Sequence, residues 1–181
     1  FGCVDNIAPA CGFTYALDGG LQQAMGDSEL LLTVSEGVHR VCGFARDDAG
    51  NTDAAGACHT WEVDVTPPTR TVMSGLPARF TRGCNERVFL QCEGDARNCS
   101  FCSSLTAGGT APVWTCSGAD SLSWPCLAEG LWTLAVVAVD AAGNAQLAPT
   151  TWEFSVDRSP PSTAIAPTNF ESSPTNVSTP A

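Results

Sequence analysis

Residues 37–51 read G-V-H-R-V-C-G-F-A-R-D-D-A-G-N, and residues 130–144 read G-L-W-T-L-A-V-V-A-V-D-A-A-G-N. In the second stretch Trp132, Leu134, Val136 and Ala138 alternate with Thr133, Ala135, Val137 and Val139, the period of two that marks a β-strand. The corresponding positions in the first are His39, Val41, Gly43 and Ala45. Both stretches end in Asp-x-Ala-Gly-Asn, a turn in which Gly and Asn tolerate positive φ and the Asp accepts from turn amides. A Trp-Glu run follows each, beginning at Trp61 or Trp152 and leading to Asp64 or Asp157 and then a Pro pair, Pro67-Pro68 or Pro160-Pro161. Proline cannot continue a central ladder, so the pair closes the unit. Asn51 and Asn144 are 93 residues apart, and so are Pro67 and Pro160.

A repeat of that length is one small β domain, and repetition points to a modular scaffold. No segment shows a sustained helical apolar period. Short strands with frequent Gly and Pro turns predict an all-β chain of two tandem Ig-like antiparallel sandwiches. The expected boundaries are a first module over 1–67, a second over 68–158, and a Pro/Ser/Thr-rich tail over 159–181.

The chain has 181 residues with a net charge of −11, and all eight of its basic residues are arginine. That balance argues against nucleic acid as a partner, since phosphate binding needs a basic face. The absence of lysine excludes lysine chemistry, isopeptide cross-links included. No apolar run approaches the roughly 18 residues of a membrane-spanning helix. Ten cysteines predict disulfides and an oxidising, extracellular setting. The chain opens on Phe1, so the expectation is a processed or excerpted sequence.

The pattern V-x-A-x-D-x-A-G-N followed by W-x-V-D-x-x-P-P-x-T resembles the immunoglobulin-like repeats of large secreted and surface proteins of bacteria, algae and other protists. Val41, Asp47, Gly50, Asn51, Trp61, Asp64 and Thr69 carry it in the first copy. Val136, Ala138, Asp140, Gly143, Asn144, Trp152 and Asp157 carry it in the second. An aromatic-Cys-Ser-Leu segment of the family is matched by Phe101-Cys102-Ser103-Ser104-Leu105, and in the first copy by Phe13 to Leu17 without the cysteine. The resemblance implies a structural or adhesive role outside the cell, with no catalytic residue. The family histidine, His39 here, is Trp132 in the second copy, so it is not a required chemical group.

Cysteines that pair are gained or lost together between copies. Cys3 and Cys11 align with Cys92 and Cys99, so both copies carry that local bridge. Cys102 and Cys116 lack counterparts and form a pair. Cys42 aligns with Ala135, and Cys58, in a segment expected as a loop, also lacks a counterpart, so they are expected to pair. Cys84 and Cys126 remain. Zinc is the competing reading of Cys99-x-x-Cys102, but a second clustered pair is missing. The sequons at Asn98 and Asn176 are candidate glycan sites. No cofactor is expected; calcium is an alternative at Asp47, Asp48 and Asp53 with Asn51, at Asp140 with Asn144, and near the junctions at Asp64 and Asp157, where the bland reading is turn capping. Trp114 and Trp124 are either a carbohydrate-stacking surface or a cover for the end of the sandwich. His39 is expected as a packed core residue.

The two ends are complementary. Residues 68–88 open the second copy, residues 161–181 align with them, and Phe1 aligns with Leu90. The first copy is therefore expected to lack its first strand, and Ser162, Thr163, Ala164, Ile165 and Ala166 are expected as a donor strand. The function read from this is a structural subunit of an extracellular filament or surface appendage, a head-to-tail homopolymer built by strand complementation. The alternatives are a disordered glycosylated linker at the tail, one window of a longer tandem chain, and an adhesive or carbohydrate-binding module of a large secreted protein. No enzyme activity is expected.

Overall fold

The structure is a computed structural model and describes residues 1–4, 11–26, 29–94 and 99–164. Asn98, Asn176, Ile165, Ala166 and the rest of the tail to 181 lie outside the described residues. The described chain is all β, without a helix. Its strands are β1 (Gly12–Leu17), β2 (Gln23–Ala24), β3 (Gly37–Arg46), β4 (Ala57–Val63), β5 (Arg70–Ser74), β6 (Phe80–Thr81), β7 (Glu86–Glu93), β8 (Ser100–Ala107), β9 (Thr115–Ser117), β10 (Ser121–Trp124), β11 (Gly130–Val139) and β12 (Thr150–Val156). They form three sheets, ordered β2-β1-β3-β4, β10-β7-β5 and β6-β12-β11-β8-β9.

The second half is an Ig-like sandwich of the last two sheets. All neighbouring strands are antiparallel except β6, which lies parallel to β12. Alternation places Leu134, Val136 and Ala138 of β11 inward, where they meet Phe101 of β8 and Val88 and Leu90 of β7 in one core. Met73, Leu122 and Trp124 from the covering sheet pack against that core. Every buried apolar core residue among those described comes from the second half, between Val88 and Val156.

The first half repeats only one of the two sheets. Its ladder β2-β1-β3-β4 matches β9-β8-β11-β12 of the larger sheet of the second half, and β6 has no counterpart among the described residues. Phe13 faces Ala45 as Phe101 faces Ala138, and His39 faces Trp61 as Trp132 faces Phe154. The register makes Phe154 the counterpart of Trp61, two residues beyond the Trp152 that the shared Trp-Glu dipeptide suggests. Cys58 lies within β4 directly opposite Cys42 rather than in a loop.

The shortfall in the first half exceeds the single strand expected from sequence: among the described residues no covering sheet faces β2-β1-β3-β4. The reason is the order of the covering sheet in the second half. There β7 is the middle strand and supplies both ladders, to β5 and to β10. Without a full counterpart of β7, the counterpart of β10 has nothing to pair with. Leu30, Leu32 and Val34 do alternate half-buried with exposed Leu31 and Thr33, yet residues 29–35 belong to no strand.

The ten cysteines form five bridges: Cys3–Cys11, Cys42–Cys58, Cys84–Cys126, Cys92–Cys99 and Cys102–Cys116. Cys42–Cys58 and Cys102–Cys116 staple directly opposed residues of neighbouring strands. Cys92–Cys99 ties β7 to the entry of β8, and so joins the two sheets of the sandwich. Cys3–Cys11 does the same for residues 1–4 and β1. Five disulfides fit an extracellular protein.

The different burial of inward-facing valines in β11 and β3 gives a test. Val136 is fully buried, whereas Val41, the counterpart of Leu134, is half-buried. V136A is expected to lower unfolding stability by about 2 kcal/mol through lost burial and a cavity, and V41A by less than about 1 kcal/mol. Urea denaturation under non-reducing conditions, followed by tryptophan fluorescence, measures both.

Candidate assembly surface

The uncovered face of the first sheet is built by alternation. Phe13 and Tyr15 of β1, His39, Val41, Gly43 and Ala45 of β3, and His59 and Trp61 of β4 share one side by register. In the second half that side is the floor of the core. Here only His39 and Gly43 reach full burial among the described residues 1–63. The rings form a continuous row: His39 to Trp61 at 5.7 Å between centroids, and His59 stacked on Trp61 at 6.1 Å.

One fragment of cover is present. Phe1 lies over Gly43, so closely that a Cβ there would sit 2.2 Å from its ring, and it packs on Phe13 at 6.2 Å. The counterparts of Phe1 and Gly43 are Leu90 and Val136, both in the core of the second half. A large residue over a small one has replaced two of middling size, which conserves the volume of the layer. Beside Phe1 runs a groove of about 550 Å³, walled by Leu30, Leu31 and Leu32 and floored by Val41.

His39 is anchored at both nitrogens. Its Nδ1 lies 2.9 Å from an Asp18 oxygen and its Nε2 lies 2.7 Å from the Ser35 carbonyl. Both partners only accept, so the imidazolium with two N–H groups satisfies both. Hydrogen bonding to Asp18, then to Ser35, raises the His39 pKa. The Arg40 amide, which donates to Asp18 at 2.8 Å, and then His39 hold the Asp18 pKa down. The histidine is thus a fixed corner of the sheet, tying β3 to the turn after β1.

Of the acidic residues considered for calcium, Asp47, Asp53 and Asp140 are engaged as caps. Asp47 accepts from the Asn51 amide and side chain, both at 2.7 Å, and Asp140 accepts from Asn144 at 2.8 and 2.9 Å. Hydrogen bonding from Asn51 is the main cause that lowers the Asp47 pKa. For Asp140 burial acts upward and is outweighed by the bonds from Asn144 and the turn amides, which lower it. Glycine is required in both turns, where Gly50 and Gly143 sit at φ +93° and +96°. Asp53 caps the amides of Ala55 and Gly56. Among the described residues no three His, Cys, Asp or Glu side chains are grouped to hold a metal ion.

The two tryptophans considered for carbohydrate differ in burial. Trp124 is on β10, packs on the core and stacks with Phe154 at 6.2 Å, whereas Trp114 is 40% exposed. Of the proposed donor residues, Ser162, Thr163 and Ala164 are exposed and outside any strand. No helix among the described residues is long and apolar enough to cross a membrane.

No protein-family model matches the chain, and no curated protein does. Among solved structures it is similar to the fibronectin(III)-like modules of Clostridium thermocellum CbhA. That similarity has a TM-score of 0.48 and 12% identity, and it covers 85% of this chain and 82% of that one.

The His39 anchor sets a pH dependence. Its contribution to stability is complete below the ordinary histidine value of about 6.5 and is lost as pH rises through the higher folded-state pKa. The Asp18 contribution is present above about 3.9 and is lost as pH falls through its lowered value. By NMR titration, D18N is expected to bring the His39 pKa back down towards the ordinary value and to flatten the loss of stability at high pH.

Proposed function

We propose that this chain is a structural subunit of an extracellular filament or surface appendage, in which the uncovered first module of one copy receives the tail strand of another. The observation that carries this reading is the contrast between two equivalent sheets. One is covered by β10-β7-β5; the other presents Trp61, Val41 and Phe13 on a face with no sheet over it among the described residues. An apolar face and a neighbouring segment that belongs to no strand support a β-strand as the missing component.

The tail has the matching character. Pro160-Pro161-Ser162-Thr163-Ala164 repeats the approach to β5, Pro67-Pro68-Thr69-Arg70-Thr71. A donor at one end and an acceptor at the other make a heterologous contact that does not close on itself, and so a filament. The resemblance to Ig-like surface repeats, an extracellular location and glycans at Asn98 and Asn176 belong to the same reading. So does a mechanical role, with bridges limiting unfolding and no catalytic step.

Sedimentation velocity and electron microscopy of the full chain test this. Elongated oligomers that grow with concentration are expected. A chain ending at residue 160 is expected to stay monomeric, with the thermal midpoint of its second half unchanged. Oligomers that persist after this truncation would rule the tail out as donor.

A further inference from the structure

The joint between the two halves shows how one repeat is seated on the next. Asn144 closes its turn on Asp140 and donates a second side-chain hydrogen to the Asp64 carbonyl at 3.0 Å. Downstream, the Thr69 amide donates to the Glu93 carbonyl at 2.8 Å, and the Thr71 hydroxyl reaches Gln146 at 2.8 Å inside the structure. Thr71 is 1% exposed. Three anchors therefore lead the linker from Asp64 into β5.

The turn of the first half is the same object without a linker. Asn51 bonds Asp47 through its amide and side chain as Asn144 bonds Asp140, and the backbone bonds that close the two turns agree. The second side-chain hydrogen of Asn51 has no partner among the described residues. Asp140 is buried and Asn144 half-buried, whereas Asp47 is half-buried and Asn51 exposed. Beside Asn51 lies a groove of about 440 Å³ lined by Cys3, Val4, Asp47 and Asp53 among others. By the repeat, Val4 corresponds to Glu93, Asn51 to Asn144 and Asp53 to Gln146. All three linker anchors thus have counterparts in one groove.

The exit of the second half matches the linker. Asp64 Oδ1 accepts from the Thr66 amide at 3.1 Å, and the Thr66 hydroxyl is held by Glu36. Asp157 Oδ1 accepts from the Ser159 amide at 3.1 Å, and the Ser159 hydroxyl is held by Glu129. The same turn therefore presents the two carbonyls, Asp64 and Asp157. At the third anchor both sides change together: Gln146 is replaced by Asp53, and Thr71 corresponds to Ala164, which has no hydroxyl to offer.

We infer that this groove receives residues 157–164 of a second copy, with the Asn51 side chain donating to the Asp157 carbonyl and the Ser162 amide donating to the Val4 carbonyl. The inference rests on the head-to-tail reading above and specifies the contact surface and register of its joint. The committed occupant is the tail of another molecule, and the donor face of the tail then follows β5, with Ala164 at the position of buried Thr71.

NMR of the full chain over a concentration series, with dissociation constants from sedimentation equilibrium, tests the joint. Asn51 side-chain amide signals are expected to move downfield as the chain associates, towards the pattern of Asn144. N51A and S162P each remove one donor and are expected to raise the dissociation constant about 5–10-fold. Association with an unmoved Asn51 signal and unchanged constants for both variants overturns this joint and leaves strand complementation standing. An Asn51 shift independent of concentration means that the tail folds back on its own molecule, and it overturns the second-copy assignment. Absence of association up to millimolar chain removes both the joint and the filament.

Discussion

A sheet that is apolar on one side must have that side covered, because exposed aromatic and aliphatic area costs roughly 25 cal/mol per Å² relative to burial. Among the described residues the requirement is met once. The covering sheet β10-β7-β5 holds together through its middle strand, so cover is gained or lost as a unit and not strand by strand. The whole difference between the two halves follows from the place of β7. Where it is complete, eight apolar side chains reach the core. Where only Phe1 and its neighbours stand in its position, burial stops at Gly43 and His39.

The cystine framework has a distinct part in each half. In the sandwich, Cys92–Cys99 links layers that are already packed together. In the first half the corresponding Cys3–Cys11 holds Phe1 and its neighbours against a sheet that offers them no ladder. The chain-entropy argument for disulfides applies in both places, but in the first the bridge also replaces packing that a complete sheet supplies. The cross-strand staple Cys42–Cys58 is likewise confined to the half without a core; its counterpart pair, Ala135 and Thr151, sits in the half that has one.

Much of this was legible in the sequence because β alternation and turn chemistry are local. The inward set of β11, the Asp-x-Ala-Gly-Asn turns and the packed place of His39 all follow from short-range pattern. What was hidden depends on pairing. Trp61 and Trp152 begin the same dipeptide, yet the ladder ends Gly37–Val63 and Gly130–Val156 fix a register in which Phe154 answers Trp61. The shift is two residues, an even number, so both remain on the inner face. The missing cover was underestimated because no residue in Leu30-Leu31-Leu32 states that its partner strand is absent. The donor role of Asn144 was invisible as well: Asn51 and Asn144 read alike, and only the Asp64 carbonyl beside one of them tells them apart.

Arg158 distinguishes the two exits further. Its amide donates to Glu129 at 2.8 Å, and its guanidinium donates to the Arg82 carbonyl at 2.9 Å and to the Leu127 carbonyl. The residue at that place after the first half is Val65, which has no such reach. Each exit is held by a glutamate of its own module; the first gains the Asn144 bond from the module beyond it, and the second gains the bonds of Arg158. An exit segment preorganised in this way would give up little conformational entropy on docking. Its benefit to a complex appears mainly in residence time, since rates of encounter vary much less than rates of escape.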